Sequence, residues 1–232
     1  MKLVYNEEGD SVFYDALTFI NNQEGIAIGD PVEGCLSVIR TSDGGNTWNK
    51  LDCSGLPELI SGEAAFAASN SNIESINNNL WFISGGGASR VYHSSNKGVS
   101  WEVYDTPIIQ GEPTQGGYSI DFYDSQKGIV YGGDYTKPSN NQKNIAITSN
   151  GGKTWKLTAQ NNNDGYKSCV QYVPNRNGRD IIAVGFTGIS YSSDNGNSWQ
   201  SLSKESFYSI RFITENIALA SGKNRMSFLY FN

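Results

Sequence analysis

A chain of 232 residues, 17% charged and 12% aromatic with 26 glycines, is long enough for a sizeable core and suits many short strands joined by tight turns. A formal charge of −6 without any cluster of Lys and Arg excludes nucleic-acid binding through phosphates. No apolar run reaches the length of a membrane span, and Met1-Lys-Leu-Val-Tyr-Asn-Glu-Glu lacks a signal-peptide core, so export is expected only where a longer N-terminus carries a leader, and the compartment is left open.

In chain order, Lys2–Asn6 reads as a lone strand, after which the sequence repeats one grammar. An alternating apolar run, a turn, a second run ending in Gly, a loop, a third run and a short fourth describe a four-stranded meander, a to d. The first unit uses Phe13–Phe19, Gly25–Gly29, Cys35–Arg40 and Asn49–Asp52. The second uses Ala64–Ser69, Leu80–Ser84, Ser89–His93 and Glu102–Tyr104. The third uses Tyr118–Tyr123, Gly128–Gly132, Asn144–Thr148 and Lys156–Thr158, and the fourth Lys167–Val173, Asp180–Gly185, Gly188–Tyr191 and Gln200–Ser203. A fifth offers Tyr208–Ile213, Ile217–Ser221 and Met226–Phe231, with no d strand. Cys35, Cys53 and Cys169 are odd in number and far apart, so free thiols are expected, with neither a disulfide framework nor a metal site.

Between c and d one phrase recurs four times: Thr41-Ser-Asp-Gly-Gly-Asn-Thr-Trp48, Ser94-Ser-Asn-Lys-Gly-Val-Ser-Trp101, Thr148-Ser-Asn-Gly-Gly-Lys-Thr-Trp155 and Ser192-Ser-Asp-Asn-Gly-Asn-Ser-Trp199. In each, Asp43, Asn96, Asn150 or Asp194 can bond its own turn, and Gly45, Gly98, Gly152 or Gly196 supplies a positive φ. Trp48, Trp101, Trp155 and Trp199 follow as large anchors. The phrase resembles the Asp-box, or BNR repeat, of sialidases, sortilin-type receptors and photosystem II assembly-factor-like proteins. Its starts lie 53, 54 and 44 residues apart, the spacing of propeller blades rather than of solenoids.

The expectation is an all-β fold, a β-propeller of four-stranded antiparallel blades forming a single domain over 1–232. Its blades fall at about 13–52, 62–104, 117–158, 166–203 and 207–232 plus 2–6, the N-terminal strand supplying the missing d strand. The competing expectation is a fragment of a seven-bladed propeller. A closed ring of this kind is expected to be a monomer.

On a propeller the a–b and c–d turns share one face, so a ligand site is expected on the other, around the axis, at a-strand starts and b-strand ends. Tyr14, Arg90, Tyr118, Tyr135, Lys137, Tyr166, Lys167 and Tyr208 are the candidate ligand-binding residues. Asp15, Asp30, Glu63 and Asp134 are the carboxylates from which a glycosidase would draw an acid and a nucleophile or base. A true sialidase needs three arginines on its substrate, and of the six in this chain only Arg90 and Arg225 fall on that face. Gly85-Gly-Gly-Ala-Ser lies between strands with no helix to follow, so it makes no dinucleotide cradle, and no cofactor is expected. His93, the one histidine, sits in a c strand and completes no triad.

A closer resemblance rests on Ile-Ala-Ile-Gly-Asp-Pro at 26–31, Gly-Glu-Ala-Ala-Phe-Ala-Ala-Ser at 62–69, Gly-Gly-Asp-Tyr-Thr-Lys-Pro at 132–138 and Gly-Tyr-Lys-Ser at 165–168. These look like a bacterial family of photosystem II stability/assembly-factor-like BNR proteins, some labelled oxidoreductase or glycosyl hydrolase and commonly two units longer upstream. The resemblance implies a fold and no established reaction. The functional expectation is therefore a non-catalytic binding or assembly module for a glycan or peptide, with a glycoside hydrolase as the alternative.

Overall fold

The computed structural model describes residues 2–231; Met1 and Asn232, the outermost residues of the expected domain, lie outside them. Blade 1 contains β1 (Tyr14–Phe19), β2 (Gly25–Val32), β3 (Cys35–Thr41) and β4 (Asn49–Lys50) in that order across the sheet. A short β5 (Glu63–Ala64) precedes blade 2, which holds β6 (Ile73–Ile76), β7 (Asn79–Ile83), β9 (Arg90–Ser94) and β10 (Glu102–Asp105), with β8 (Gly85–Gly86) between β7 and β9 in the chain. Blade 3 has β11 (Gln115–Phe122), β12 (Gly128–Asp134), β13 (Ile145–Thr148) and β14 (Lys156–Leu157). Blade 4 has β15 (Cys169–Tyr172), β16 (Ile181–Gly185), β17 (Gly188–Ser192) and β18 (Gln200–Ser203), and blade 5 has β19 (Ser209–Thr214), β20 (Ile217–Gly222) and β21 (Arg225–Tyr230).

Alternation along each strand sends one set of side chains to each neighbouring sheet, so the core lies between blades. Ile26, Ile28 and Val38 of blade 1 meet Leu80, Phe82 and Tyr92 of blade 2. Trp81 and Val91 on the other side of blade 2 meet Ile120 and Val130, and Ile129 and Tyr131 meet Val170 and Ile181. Ile182 and Val184 close the series against Ile210, Ala218 and Ala220 of blade 5.

The recurring phrase forms the same turn four times. The first hydroxyl accepts from the Gly amide, as in Thr41 Oγ1 from Gly45 N at 2.9 Å and Ser192 Oγ from Gly196 N at 2.9 Å. The Asx side chain accepts from the amide four residues on, as in Asp43 Oδ1 from Thr47 N at 2.9 Å and Asn150 Oδ1 from Thr154 N at 3.0 Å. Two successive positions take positive φ, 71° and 84° at Gly44 and Gly45 and 59° and 81° at Asn195 and Gly196. The first of these also donates its amide to the a–b turn of the same blade, Gly44 to Gln23 and Lys97 to Asn78. The a–b and c–d turns therefore share the lower face, and the b–c and d–a connections share the upper one.

Three expectations are corrected. The second a strand is Ile73–Ile76, not Ala64–Ser69. Glu63–Ala64 instead pairs with Gly85–Gly86, which pairs in turn with Gly116 of β11, giving a six-stranded sheet. A Cβ on Gly85 would stand 2.1 Å from the Phe66 ring, and one on Gly86 2.3 Å from the Gly62 carbonyl, so the glycine run serves close backbone packing.

Second, Lys2–Asn6 carries no strand and does not complete blade 5, which has three strands. Leu3, Val4 and Tyr5 instead border a groove with Leu17, Ile39 and Trp48 of blade 1. Glu7 fixes this course, accepting hydrogen bonds from Tyr5 and Tyr14 at 2.7 Å each and pairing with Lys50. Blades 1 and 5 approach at their inner ends through Asn70, whose side chain pairs with the Leu17 amide and carbonyl at 2.8 and 3.2 Å while Arg211 donates to the Asn70 carbonyl at 2.8 Å.

Third, Cys35 and Cys53 form a disulfide across 18 residues, and only Cys169 is free, buried against blade 5. Pairing of Ile39 with Lys50 brings the start of β3 beside the chain leaving β4, which is the geometry a disulfide requires.

Candidate functional site

The upper face carries a row of aromatic rings supplied by successive blades. Tyr118 of β11, Tyr166 and Tyr208 shortly ahead of β15 and β19, and Phe66 just after β5 supply most of it. Phe66 stacks on Tyr118 at 4.3 Å, Tyr118 meets Tyr166 edge-on at 4.8 Å, Tyr166 meets Phe186 at 5.3 Å, and Phe186 meets Tyr208 at 5.8 Å. Tyr135 joins from the loop after β12, 6.3 Å from Tyr118. Tyr118 and Tyr166 are buried, whereas Tyr135 and Phe186 are each 45% exposed, so the row has a fixed base and open rings at its top. Burial pushes the Tyr118 and Tyr166 phenols well above their ordinary range, and neither is an acid near neutral pH.

Beside Phe186 lies an open cleft of about 390 Å³ lined by Ser139, Asn163, Asp164, Thr187 and Lys204. Asp164 accepts from Ser190 Oγ at 2.6 Å. Lys167 is fully buried under the turn between β16 and β17 and donates to the Gly188 carbonyl at 2.9 Å. Burial, with the charge of Lys204 adding to it against the attraction of Asp164, lowers its pKa to about 8.

Of the expected ligand-binding residues, Tyr118, Tyr135, Tyr166 and Tyr208 come together in this row, and Lys167 lies beneath it. Lys137 is exposed on the turn that follows Asp134. Tyr14 stands apart from the row, against Tyr5 and Glu7. Arg90 is not on the surface: its Nε contacts both Glu63 oxygens at 3.1 Å and its Nη2 reaches Glu63 at 2.6 Å and the Glu58 carbonyl at 2.7 Å. Arg225 lies over the Phe207 ring at 4.1 Å and pairs with Glu205. Phe186 was not anticipated; the signal was an apolar residue in the two-residue turn Gly185-Phe186-Thr187-Gly188, where polar residues are the rule.

The four candidate carboxylates do not form one set. Glu63 is enclosed by Arg90, Tyr92 and Ser84 with no exposed side-chain surface. Asp134 caps a turn, accepting from the Thr136 amide at 2.9 Å and hydroxyl at 2.6 Å; although burial opposes it, these bonds hold its pKa below the usual value. Asp15 and Asp30 do lie together at the top of blade 1. Burial first, then the Asp30 charge, raises Asp15 to about 7, and its Oδ2 has no hydrogen-bond partner. Asp30 accepts from the Ala65 amide at 3.2 Å, and burial raises it as well.

Sequence reasoning also missed a carboxyl pair on the inner strands. Glu74 of β6 and Asp121 of β11 share a hydrogen bond, and burial, then the Glu74 charge, pushes Asp121 well above the carboxylate range. His93 is a strand residue as expected, stacked on Trp81 at 5.1 Å with Nε2 2.9 Å from Asn79 Oδ1. No group of three or more His, Cys, Asp or Glu able to hold a metal occurs among the described residues.

No known family profile matches the chain, and no curated protein matches it. Solved structures do. A protein of unknown function from Dyadobacter fermentans superposes with a TM-score of 0.60 at 13% identity, over 94% of this chain and 76% of that one. An ancestral GH74 enzyme gives 0.60 at 14% identity over 94% of this chain. The fold is a β-propeller. This chain spans 31% of that GH74 enzyme, and the likeness extends to the fold alone. YCF48 bound to D1 peptide aligns over 96% of this chain and 94% of its own at 13% identity, with a TM-score of 0.45. No helix among the described residues is long and apolar enough to cross a membrane.

Proposed function

We propose that this protein is a non-catalytic binding or assembly module of the BNR-repeat propeller type, and that it takes a peptide on the upper face. The observation that carries the reading is the row Tyr135, Tyr118, Tyr166, Phe186 and Tyr208, with its half-exposed rings beside a cleft of about 390 Å³. Edge-on rings offer pockets between them rather than one flat platform, which suits aliphatic or aromatic side chains better than a stacked sugar. Asp164 and Lys204 place both signs of charge at the cleft, fitting a peptide backbone flanked by polar side chains. A peptide array and a glycan array, each probed with the pure protein, test this. Peptide binding that weakens at least tenfold in Phe186→Ala, the loss expected of a truncated aromatic anchor, supports it, and binding to glycans alone refutes it.

The second reading is a glycoside hydrolase, favoured by one feature, the raised pKa of Asp15 beside Asp30. Turnover of a fluorogenic glycoside that disappears in both Asp15→Asn and Asp30→Asn would establish it over the binding module.

A further inference from the structure

The cleft beside Phe186 is more selective than its mixed lining suggests, because most of its polar groups are already committed. Asn163 accepts from the Gly165 amide at 2.8 Å and donates to the Ala159 and Asn141 carbonyls at 2.8 and 3.0 Å. Thr187 donates its hydroxyl to the Tyr166 carbonyl at 3.1 Å. Asp164 turns inward: it accepts from the hydroxyl of Ser190, a fully buried residue, and its charge acts on the buried Tyr131 phenol. The groups that remain for a ligand are the exposed ammonium of Lys204 and the exposed hydroxyl of Ser139, which hold no side-chain hydrogen bond among the described residues. Both can donate. Behind this wall lies Lys167, whose ammonium donates to a single acceptor, the Gly188 carbonyl. Asp164 and Lys204 are the charged groups that act on it, so the cleft combines two ammonium groups with one carboxylate, and that carboxylate is turned to Ser190.

We infer that the cleft takes a carboxylate of the bound peptide, held by Lys204 and Ser139 and favoured by the buried charge of Lys167. The inference rests on the upper face being a peptide site and names the group that this site selects. Phe186 belongs to both the aromatic row and the cleft, so the apolar anchor and the carboxylate must come from neighbouring residues, given about 3.8 Å between successive Cα atoms. The net charge of −6 does not prevent this, because exposed charges more than about 8 Å away are largely screened at physiological ionic strength. A bound carboxylate offsets the surplus positive charge and stabilises protonated Lys167. Burial lowers Lys167 to about 8 in the free protein, so binding takes up a proton above that pH, and affinity should be greatest below 8 and fall as pH rises past it.

The probes are acetyl-Gly-Gly-Phe-Glu-Gly-Gly-amide, its Phe-Gln and Phe-Lys counterparts, and acetyl-Gly-Gly-Phe-Gly with a free C-terminus, each titrated into the full chain by calorimetry. A carboxylate peptide is expected to bind about tenfold more tightly than the Phe-Gln peptide, the worth of one hydrogen bond to a charged group, with the Phe-Lys peptide the weakest. Preference for the Phe-Glu peptide assigns the carboxylate to a side chain, and preference for the free acid assigns it to a chain terminus. Lys204→Gln, at an exposed position, should bring the carboxylate peptides within about twofold of the Phe-Gln peptide with the melting temperature unchanged. Heats measured in two buffers should show proton uptake at pH 8.5 for the favoured carboxylate peptide and none for the Phe-Gln peptide, and Lys167→Met should abolish that uptake. Carboxylate peptides that gain nothing over a Phe-Gln peptide whose own binding is lost in Phe186→Ala overturn this inference alone. Failure of every peptide to bind at about 1 mM overturns the peptide reading with it.

Discussion

Glu63→Gln tests whether the most enclosed of the candidate carboxylates serves the fold. Glu63 receives Nε and Nη2 of Arg90, the Tyr92 hydroxyl at 2.9 Å, the Ser84 hydroxyl at 2.5 Å and the Ile60 amide at 3.1 Å. Its side chain is wholly buried and that of Arg90 is 9% exposed, so the guanidinium has no route to water when the carboxylate is neutralised. Breaking one partner of such a pair costs about 3–5 kcal/mol. At about 2–4 °C per kcal/mol for a domain of this size, the melting temperature should fall by roughly 6–20 °C. Arg90→Met alone should cost a similar amount, because it leaves the carboxylate alone in the interior. Glu63→Gln with Arg90→Met should recover most of the loss, since two neutral side chains leave no unpaired charge. Urea unfolding followed by circular dichroism gives all four corners of the cycle. A Glu63→Gln variant within about 1 kcal/mol of the parent, or strictly additive single changes, would refute the reasoning.

Three further outcomes are expected. Asp15 titrates near 7 when folded, above its ordinary value of 3.8, so the unfolded chain releases its proton first and stability falls as pH rises between those values; Asp15→Asn should therefore melt higher than the parent at pH 8 and equally at pH 3. Asn150→Ala removes the acceptor of the Thr154 amide and the Thr148 hydroxyl and should cost about 1–2 kcal/mol in thermal unfolding, with no change at the other three turns. Reduction of the Cys35–Cys53 bridge should cost about 3 kcal/mol for a loop of 18 residues, and thiol titration of the unfolded, unreduced protein should find one thiol, that of Cys169.

The repeat made most of the architecture legible, because each phrase encodes its turn locally. The hydroxyl, Asx and Gly bond to one another within five residues, so no knowledge of distant contacts is needed to place them. The second a strand was misplaced for the opposite reason. Ala64–Ser69 has an apolar pattern, but Phe66 is committed to the upper face by Gly85 and Tyr118, contacts that no local pattern encodes. The disulfide was out of reach of strand register: carried onward, the Ile39–Lys50 pairing sets Cys53 opposite Leu36, on the other face from Cys35, and it is the 3-10 turn Cys53–Gly55 after β4 that brings the two sulfurs together. The N-terminal segment fits a fourth strand by sequence, and its course over blade 1 depends on Glu7, whose partners Tyr14 and Lys50 are fixed only once blade 1 has folded.

The fates of the carboxylates show why residue type at a strand end is a weak guide to chemistry. Glu63, Asp134, Asp15 and Asp30 occupy comparable places on the upper face, yet an arginine 27 residues later in the chain claims the first and a threonine two residues later claims the second. Asp15 and Asp30 stay close to each other because β1 and β2 pair through Tyr14 and Gly29, which sets adjacent residues of both strands at the same end. The upper-face charge therefore divides into an enclosed ion pair, a turn cap and a buried acid pair, each tied to its own blade. Aromatic surface is distributed differently: Tyr135, Phe186 and Tyr208 come from blades 3, 4 and 5, and the row crosses from blade to blade where Tyr118 meets Tyr166 and where Phe186 meets Tyr208. A ligand spanning that row would contact several blades at once, so substitution of any one ring should weaken binding while leaving the neighbouring rings in place.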